Sequence, residues 1–383
     1  MNATDRVTRC LDRVAPYRWS IIVSWLCIVG FLSAIWPGSG DWNYFRNGSG
    51  ALLGWPTVGT SGGIHVYATM PSLQIGPPAL VATIPFRLLP QPWDLITARV
   101  ALAATLLLLL RLVDRLAEAT GLAEDVRRRG ILLGGVALVP AWVDLAVEFV
   151  HLDDVLVLVL AALAMLQIAR RRPLLAAVLI GVAVAAKPWA IVLAPLLLRW
   201  GWRAAVRPVA VAAAVAAAWW APFLLDPETL PALWGFRLRV SEGSGLFALG
   251  LEPATFIPSW VRPVQLLGGT ALGVLAAARG RWAGVVLVGL ATRVALDPNP
   301  LLYYGVGPVL GALLWDMTRT RSGIPWTAAG TMAALSLLPS VADPQIAGVV
   351  RLAACAVLAA VVLVRPARPA AHPAQEPAEA LRD

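Results

Sequence analysis

The residues able to do chemistry gather in three stretches. The first is Gly40-Asp41-Trp42-Asn43-Tyr44-Phe45-Arg46, which continues to Ile64-His65-Val66-Tyr67 and Leu73-Gln74-Ile75-Gly76-Pro77-Pro78. The second holds Glu148, His151, Asp153 and Asp154 between two apolar runs. The third surrounds Lys187, the only lysine, in Gly181-Val182-Ala183-Val184-Ala185-Ala186-Lys187-Pro188-Trp189.

Asp41 follows the first apolar run, so its carboxylate falls at a membrane–water boundary. There it can accept the proton of an attacking hydroxyl as a general base; a solvated or helix-capping aspartate is the plainer alternative. Trp42, Tyr44 and Tyr67 can stack on sugar faces or serve as interfacial belt aromatics. Arg46 suits a phosphate or a lipid headgroup. His65 is a loop histidine whose role stays open, and Gln74 and Trp189 join the candidate substrate contacts. Ionisable groups near a membrane are costly and tend to be functional. His151, Asp153 and Asp154 therefore suggest sugar-hydroxyl binding or a hydrogen-bond network. Carboxylates and imidazole also suit divalent ions, but Asp-Asp is not a metal motif, so no metal ligand or cofactor is assigned. Lys187 needs an anionic partner if buried, and a lipid-linked phosphate would serve; snorkelling to the surface is the alternative.

The elements positioning these groups are membrane helices. The 383-residue chain is 59% hydrophobic and 14% charged, with a mean hydropathy of +0.73. Soluble domains carry about 25% charged residues. Strand-like alternation is absent, which excludes a β-barrel. The net charge of +9 sits in arginines of short loops, the positive-inside signature and not a nucleic-acid surface. Cys10, Cys27 and Cys355 show no metal or disulfide spacing. The first apolar run follows Arg6, Arg9, Arg13 and Arg18 and could imitate a signal peptide; the many later runs favour a retained anchor.

Residues 1–16 read as a basic cytoplasmic arm and 17–364 as one transmembrane domain. A helix over 17–36 ends at Pro37-Gly38, and 37–92 stays outside as the first outer loop. Within that loop, 42–53 can form an interfacial helix. Residues 73–90, with Pro77, Pro78, Pro85 and Arg87, read as juxtamembrane or re-entrant, because a crossing there would put Arg111, Arg115, Arg127, Arg128 and Arg129 outside. Helices follow over 94–114, 131–147 and 154–169. The run 174–198 breaks at Lys187-Pro188 into a hairpin, which keeps Arg199, Arg203 and Arg207 inside. Its halves fall short of the roughly 20 residues a full span needs, so its turn must line a cavity. A helix over 208–224 leads to a second outer loop, 225–262. Runs over 263–278, 282–296, 301–318, 324–340 and 345–364 complete roughly twelve spans with both termini inside. Residues 365–383 read as a disordered tail.

Together these motifs resemble the actinobacterial polyprenol-phosphate-mannose-dependent mannosyltransferases of the GT-C superfamily, the group containing the α-1,2-mannosyltransferase of phosphatidylinositol mannoside synthesis. Three features carry the likeness: Asp41-Trp42-Asn43-Tyr44-Phe45 after the first helix; His65-Val66-Tyr67 followed by Gln74-Ile75-Gly76-Pro77-Pro78-Ala79-Leu80; and the Gly181–Trp189 element. They lie within about the first 200 residues. The chain departs from the family at Gly76, where Tyr-Pro-Pro is usual, and at His151-Leu152-Asp153-Asp154, where Gln-x-Asn is frequent.

The resemblance implies an all-α polytopic GT-C fold in the plasma membrane, with juxtamembrane helices in the first outer loop and the active site facing outward. It implies transfer of mannose from a polyprenyl-phosphate donor to a glycolipid or lipoglycan acceptor, with inversion and Asp41 as base. Arabinose is the enzymatic alternative. A lipid-linked sugar transporter or flippase is the rival class, but it would place buried charge near the bilayer midplane in repeated halves. Here the charges gather at outer helix ends and no two halves look alike.

Overall fold

The computed structural model describes residues 3–34, 40–55, 62–320 and 322–364. The Pro37-Gly38 stop, Arg321 and the 365–383 tail lie outside the described residues. Among the described residues all regular structure is helical, apart from one isolated β-bridge between Arg239 and Phe256.

Six helices among the described residues are long and apolar enough to cross a membrane: Thr8–Ala34, Trp93–Ala119, Glu124–Glu148, Leu152–Ala169, Val261–Ala278 and Pro344–Val364. Pro173–Ala186, Pro188–Trp200 and Trp282–Ala295 are apolar but shorter. These helices do not confirm the expected twelve spans. The 324–340 run becomes Trp326–Met332, a π turn Ala333–Leu337 and Leu338–Val341. Pro339 has no N–H for the α-helical bond to the preceding turn, and a π turn accommodates such a defect. At the other end, the residues expected as a separate arm are helical over Ala3–Val14. Asp12 there pairs with Arg129, which also meets Asp125 at 2.9 Å and the carbonyl of Ser322 at 3.1 Å. This inner-end arginine is therefore part of a lock between segments.

The segment expected as the first outer loop holds two longer helices, Gly40–Leu52 and Pro77–Arg87, besides the short turns Gly63–His65 and Val66–Thr69. None of these is long enough to span. Gly40–Leu52 packs against Pro77–Arg87 at close range: a Cβ on Gly48 would lie 2.9 Å from Leu73 and Leu80. Arg87 clamps the pair, its Nη1 donating to the carbonyl of Arg46 at 2.6 Å and its guanidinium lying 4.9 Å from the Trp55 ring. The interfacial helix expected over 42–53 forms as Gly40–Leu52, and it turns Trp42 and Phe45 into the core.

The hairpin at Lys187 is present. Leu152–Ala169 descends from Asp153 and Asp154, and Pro173–Ala186 climbs back to bring Lys187 beside them. Pro188–Trp200 then descends until Arg199 donates to the carbonyl of Ile168 at 3.0 Å. This returning half is a 13-residue 3-10 helix containing Pro188 and Pro195. At about 2 Å rise per residue it covers roughly 26 Å, more than an α-helix of the same length. The extension lets a short segment reach as far as a longer α-helix.

Candidate active site

The chain before Leu152–Ala169 is shaped to present His151. A π turn over Asp144–Glu148 precedes it, Val150 adopts a left-handed φ of +55°, and the backbone N–H of His151 donates to the carbonyl of Leu145 at 2.9 Å. A β-branched residue in that conformation is a strained outlier of a kind found at functional sites. The next turn carries Asp153 and Asp154, 1% and 4% exposed.

Three other segments converge on this turn. From the first turn of Gly40–Leu52 comes Asp41, whose Oδ2 lies 3.1 Å from His151 Nε2. From the hairpin break comes Lys187, with Nζ 3.0 Å from Asp153 Oδ2 and 2.8 Å from Asp154 Oδ2. Near the end of Val285–Ala295 comes Arg293, with Nη1 3.6 Å from Asp154 Oδ1 and Nε 4.0 Å from Asp297. The Arg293 guanidinium lies between the rings of Trp189 and Tyr304, at 4.4 and 4.8 Å from their centroids. Tyr303 stacks on His151 at 4.4 Å.

The electrostatics follow from this arrangement. His151 sits between the spans Glu124–Glu148 and Leu152–Ala169. Burial alone would disfavour its charge, but the carboxylates of Asp153 and Asp41 outweigh that cost and push the imidazole pKa up to about 9. Its Nδ1 stands 3.6 Å from both Asp153 and Asp154, a charge contact too long for a hydrogen bond. Buried charges persist only when paired, and here Asp41, Asp153 and Asp154 face Lys187, Arg293 and His151. The donor types of His151, Asp153 and Asp154 lie close enough together to ligate a divalent ion. Lys187 and Arg293 already supply the positive charge those carboxylates need, so the residues fit a metal poorly.

The structure thus joins six of the residues singled out from sequence: Asp41, His151, Asp153, Asp154, Lys187 and Trp189. It sends the others elsewhere. Trp42 is 2% exposed and donates from Nε1 to Asp94 Oδ2 at 3.4 Å, so its ring supports the helix and offers no face to a sugar. Arg46 pairs through Nε with the same carboxylate at 3.0 Å, which ties it to the support of the helix. Tyr67 is fully buried against Trp220 and Phe223 and donates to the carbonyl of Ile75 at 2.8 Å; it too presents no sugar platform. His65 meets Asp226 at 2.8 Å, tying the first outer loop to the second. Gln74 is exposed and donates to the carbonyl of Pro71, and Tyr44 is 48% exposed.

Sequence reasoning missed Asp94, Asp226, Arg293, Tyr303 and Tyr304. Arg293 carried the clearest signal, a charge within an apolar run, which is costly unless paired.

Residues 76–244 match a family model described as glycosyltransferase family 87. The matched segment includes His151, Asp153, Asp154, Lys187 and Trp189; Asp41 precedes it and Arg293 follows it. No curated protein and no solved structure matches the chain. The family match and the apolar helices together support a membrane-embedded glycosyltransferase.

Proposed function

We propose that the protein moves mannose from a polyprenyl-phosphate donor to a glycolipid or lipoglycan acceptor at the outer face of the plasma membrane, inverting the anomeric carbon. The observation that carries this reading is the Asp41–His151 contact at 3.1 Å, which attaches a partly exposed carboxylate to a buried, charge-paired cluster containing Lys187.

In this mechanism the acceptor hydroxyl reaches Asp41, which remains 34% exposed. Asp41 takes its proton as the acceptor oxygen forms a bond to the anomeric carbon. The bond from that carbon to the phosphate oxygen breaks on the opposite face, and its electron pair leaves with the lipid phosphate. His151 orients the Asp41 carboxylate. An ammonium has three N–H donors; Asp154 accepts one from Lys187 and Asp153 stands 3.0 Å away as its second ion-pair partner, leaving an N–H for the donor phosphate. Catalysis then rests on positioning and charge stabilisation. The outward orientation is supported by arginines at the opposite helix ends.

Membranes containing the protein, incubated with radiolabelled polyprenyl-phosphate-mannose, are expected to yield a labelled glycolipid or lipoglycan. Labelling from polyprenyl-phosphate-arabinose instead would reassign the sugar. Movement of intact donor across the bilayer without transfer would reassign the protein as a transporter.

A further inference from the structure

Beside Asp154 lies a small, partly open cavity of about 10 Å³, lined by Asp154, Trp189, Arg293, Tyr303 and Tyr304 together with apolar side chains such as Leu145. Its size suits a single water-sized group. Two of its lining residues carry a buried polar atom without a hydrogen-bond partner: the carboxylate oxygen Oδ1 of Asp154 and the indole Nε1–H of Trp189. The nearest cation to that oxygen, Arg293 Nη1, stands at 3.6 Å, a charge contact and not a hydrogen bond. Leaving such groups unmet carries their full desolvation cost, and an occupant satisfying both would recover it.

The two orphans are complementary, since one only accepts and the other only donates. A phosphate oxygen could accept from Trp189 but would be repelled by Asp154. A hydroxyl can accept from the indole and donate to the carboxylate at once. The cavity also borders the reacting groups: Lys187 holds Asp154 Oδ2 at 2.8 Å, and Tyr303 stacks on His151, which contacts Asp41.

We infer that Asp154 Oδ1 and Trp189 Nε1 form a specificity subsite that reads one hydroxyl of the donor sugar. This rests on the transferase reading above. It separates two jobs on one carboxylate, with Oδ2 holding the cation and Oδ1 reading the sugar. It also gives Arg293 a role, since the guanidinium stacked on Trp189 fixes the plane of the indole and therefore the direction of its N–H.

The test is a series of single-deoxy analogues of the labelled polyprenyl-phosphate sugar, assayed with the full-length protein and with Trp189→Phe. Phenylalanine keeps an aromatic ring against Arg293 and removes the N–H together with the rest of the five-membered ring. A site built around a substrate hydroxyl rejects the analogue lacking it by a large factor. One deoxy donor is therefore expected to lose at least about 100-fold in transfer efficiency with the unmodified protein. In Trp189→Phe the same donor should lose less than about 10-fold relative to its parent, because paired groups are non-additive. If the parent sugar is transferred but no deoxy donor is singled out by the unmodified protein, the subsite is overturned while the transferase reading stands. Equal losses in both proteins also overturn it, and would leave a structural water as the occupant. Failure to transfer any parent sugar would remove the transferase reading and the subsite with it.

Discussion

Lys187 Nζ lies 2.8 Å from Asp154 Oδ2 across 33 residues of sequence, and the same ammonium reaches Asp153 at 3.0 Å. The pair joins the break in the hairpin to the outer turn of the preceding span. One contact therefore serves both the fold and the charge balance of the site. Removing one partner of a buried pair is strongly destabilising because the other charge is left uncompensated.

Lys187→Ala should therefore lower stability by about 3–5 kcal/mol, read as a lower melting temperature in detergent. Lys187→Met combined with Asp154→Asn removes both charges and should restore most of that stability while transfer stays lost. Unchanged melting of the single variant would show that the pair holds nothing together. Recovered transfer in the double variant would show that the ammonium has no part in holding the donor.

Gly76 joins the first outer loop to the same hairpin. Its N–H donates to the carbonyl of Ala186 at 3.0 Å, and a Cβ there would lie 1.9 Å from the carbonyl oxygen of Ala185. Backbone stands on both sides, so no side chain can move aside. Gly76→Ala should cost at least about 1–3 kcal/mol and displace Lys187 enough to reduce transfer. Normal melting and normal turnover would contradict this close approach.

His151 makes stability depend on alkaline pH. Its folded-state pKa is raised from 6.5 to about 9, burial being outweighed by Asp153 and Asp41. A raised pKa contributes stability fully below the unfolded value and loses it as pH climbs through the folded value. Melting temperature should therefore fall as pH rises between 6.5 and about 9, and His151→Gln should flatten that fall. Parallel pH profiles for the two proteins would exclude the imidazolium.

Much of this arrangement was legible in the sequence, for identifiable reasons. The Lys187-Pro188 break, set against the arginines that follow it, indicated a hairpin, and Arg199 beside Ile168 shows the chain returning. The prolines of 73–90 argued against a crossing, and Pro77–Arg87 is an 11-residue helix packed on its neighbour. His151, Asp153 and Asp154 stood out because charge is expensive at a membrane helix end. The direction of the aromatics was not legible. Trp42 and Tyr67 look alike in sequence whether they face a sugar or the core, and only packing turns them inward. The contacts that bring Arg293 and Tyr303 to the site, to Asp154 and His151, escaped because those partners lie far away along the chain. The number of spans was not legible either, because an apolar run does not reveal where a proline divides it.

The central claim is that Asp41 removes the acceptor's proton, and the most direct measurement is single-turnover transfer of labelled sugar by Asp41→Asn beside a donor-binding titration. Asparagine fills the same space, and the lost general base should cost about 10²–10⁴-fold in rate while donor affinity and melting temperature stay near those of the unmodified protein. Transfer by Asp41→Asn at close to the normal rate would contradict the account.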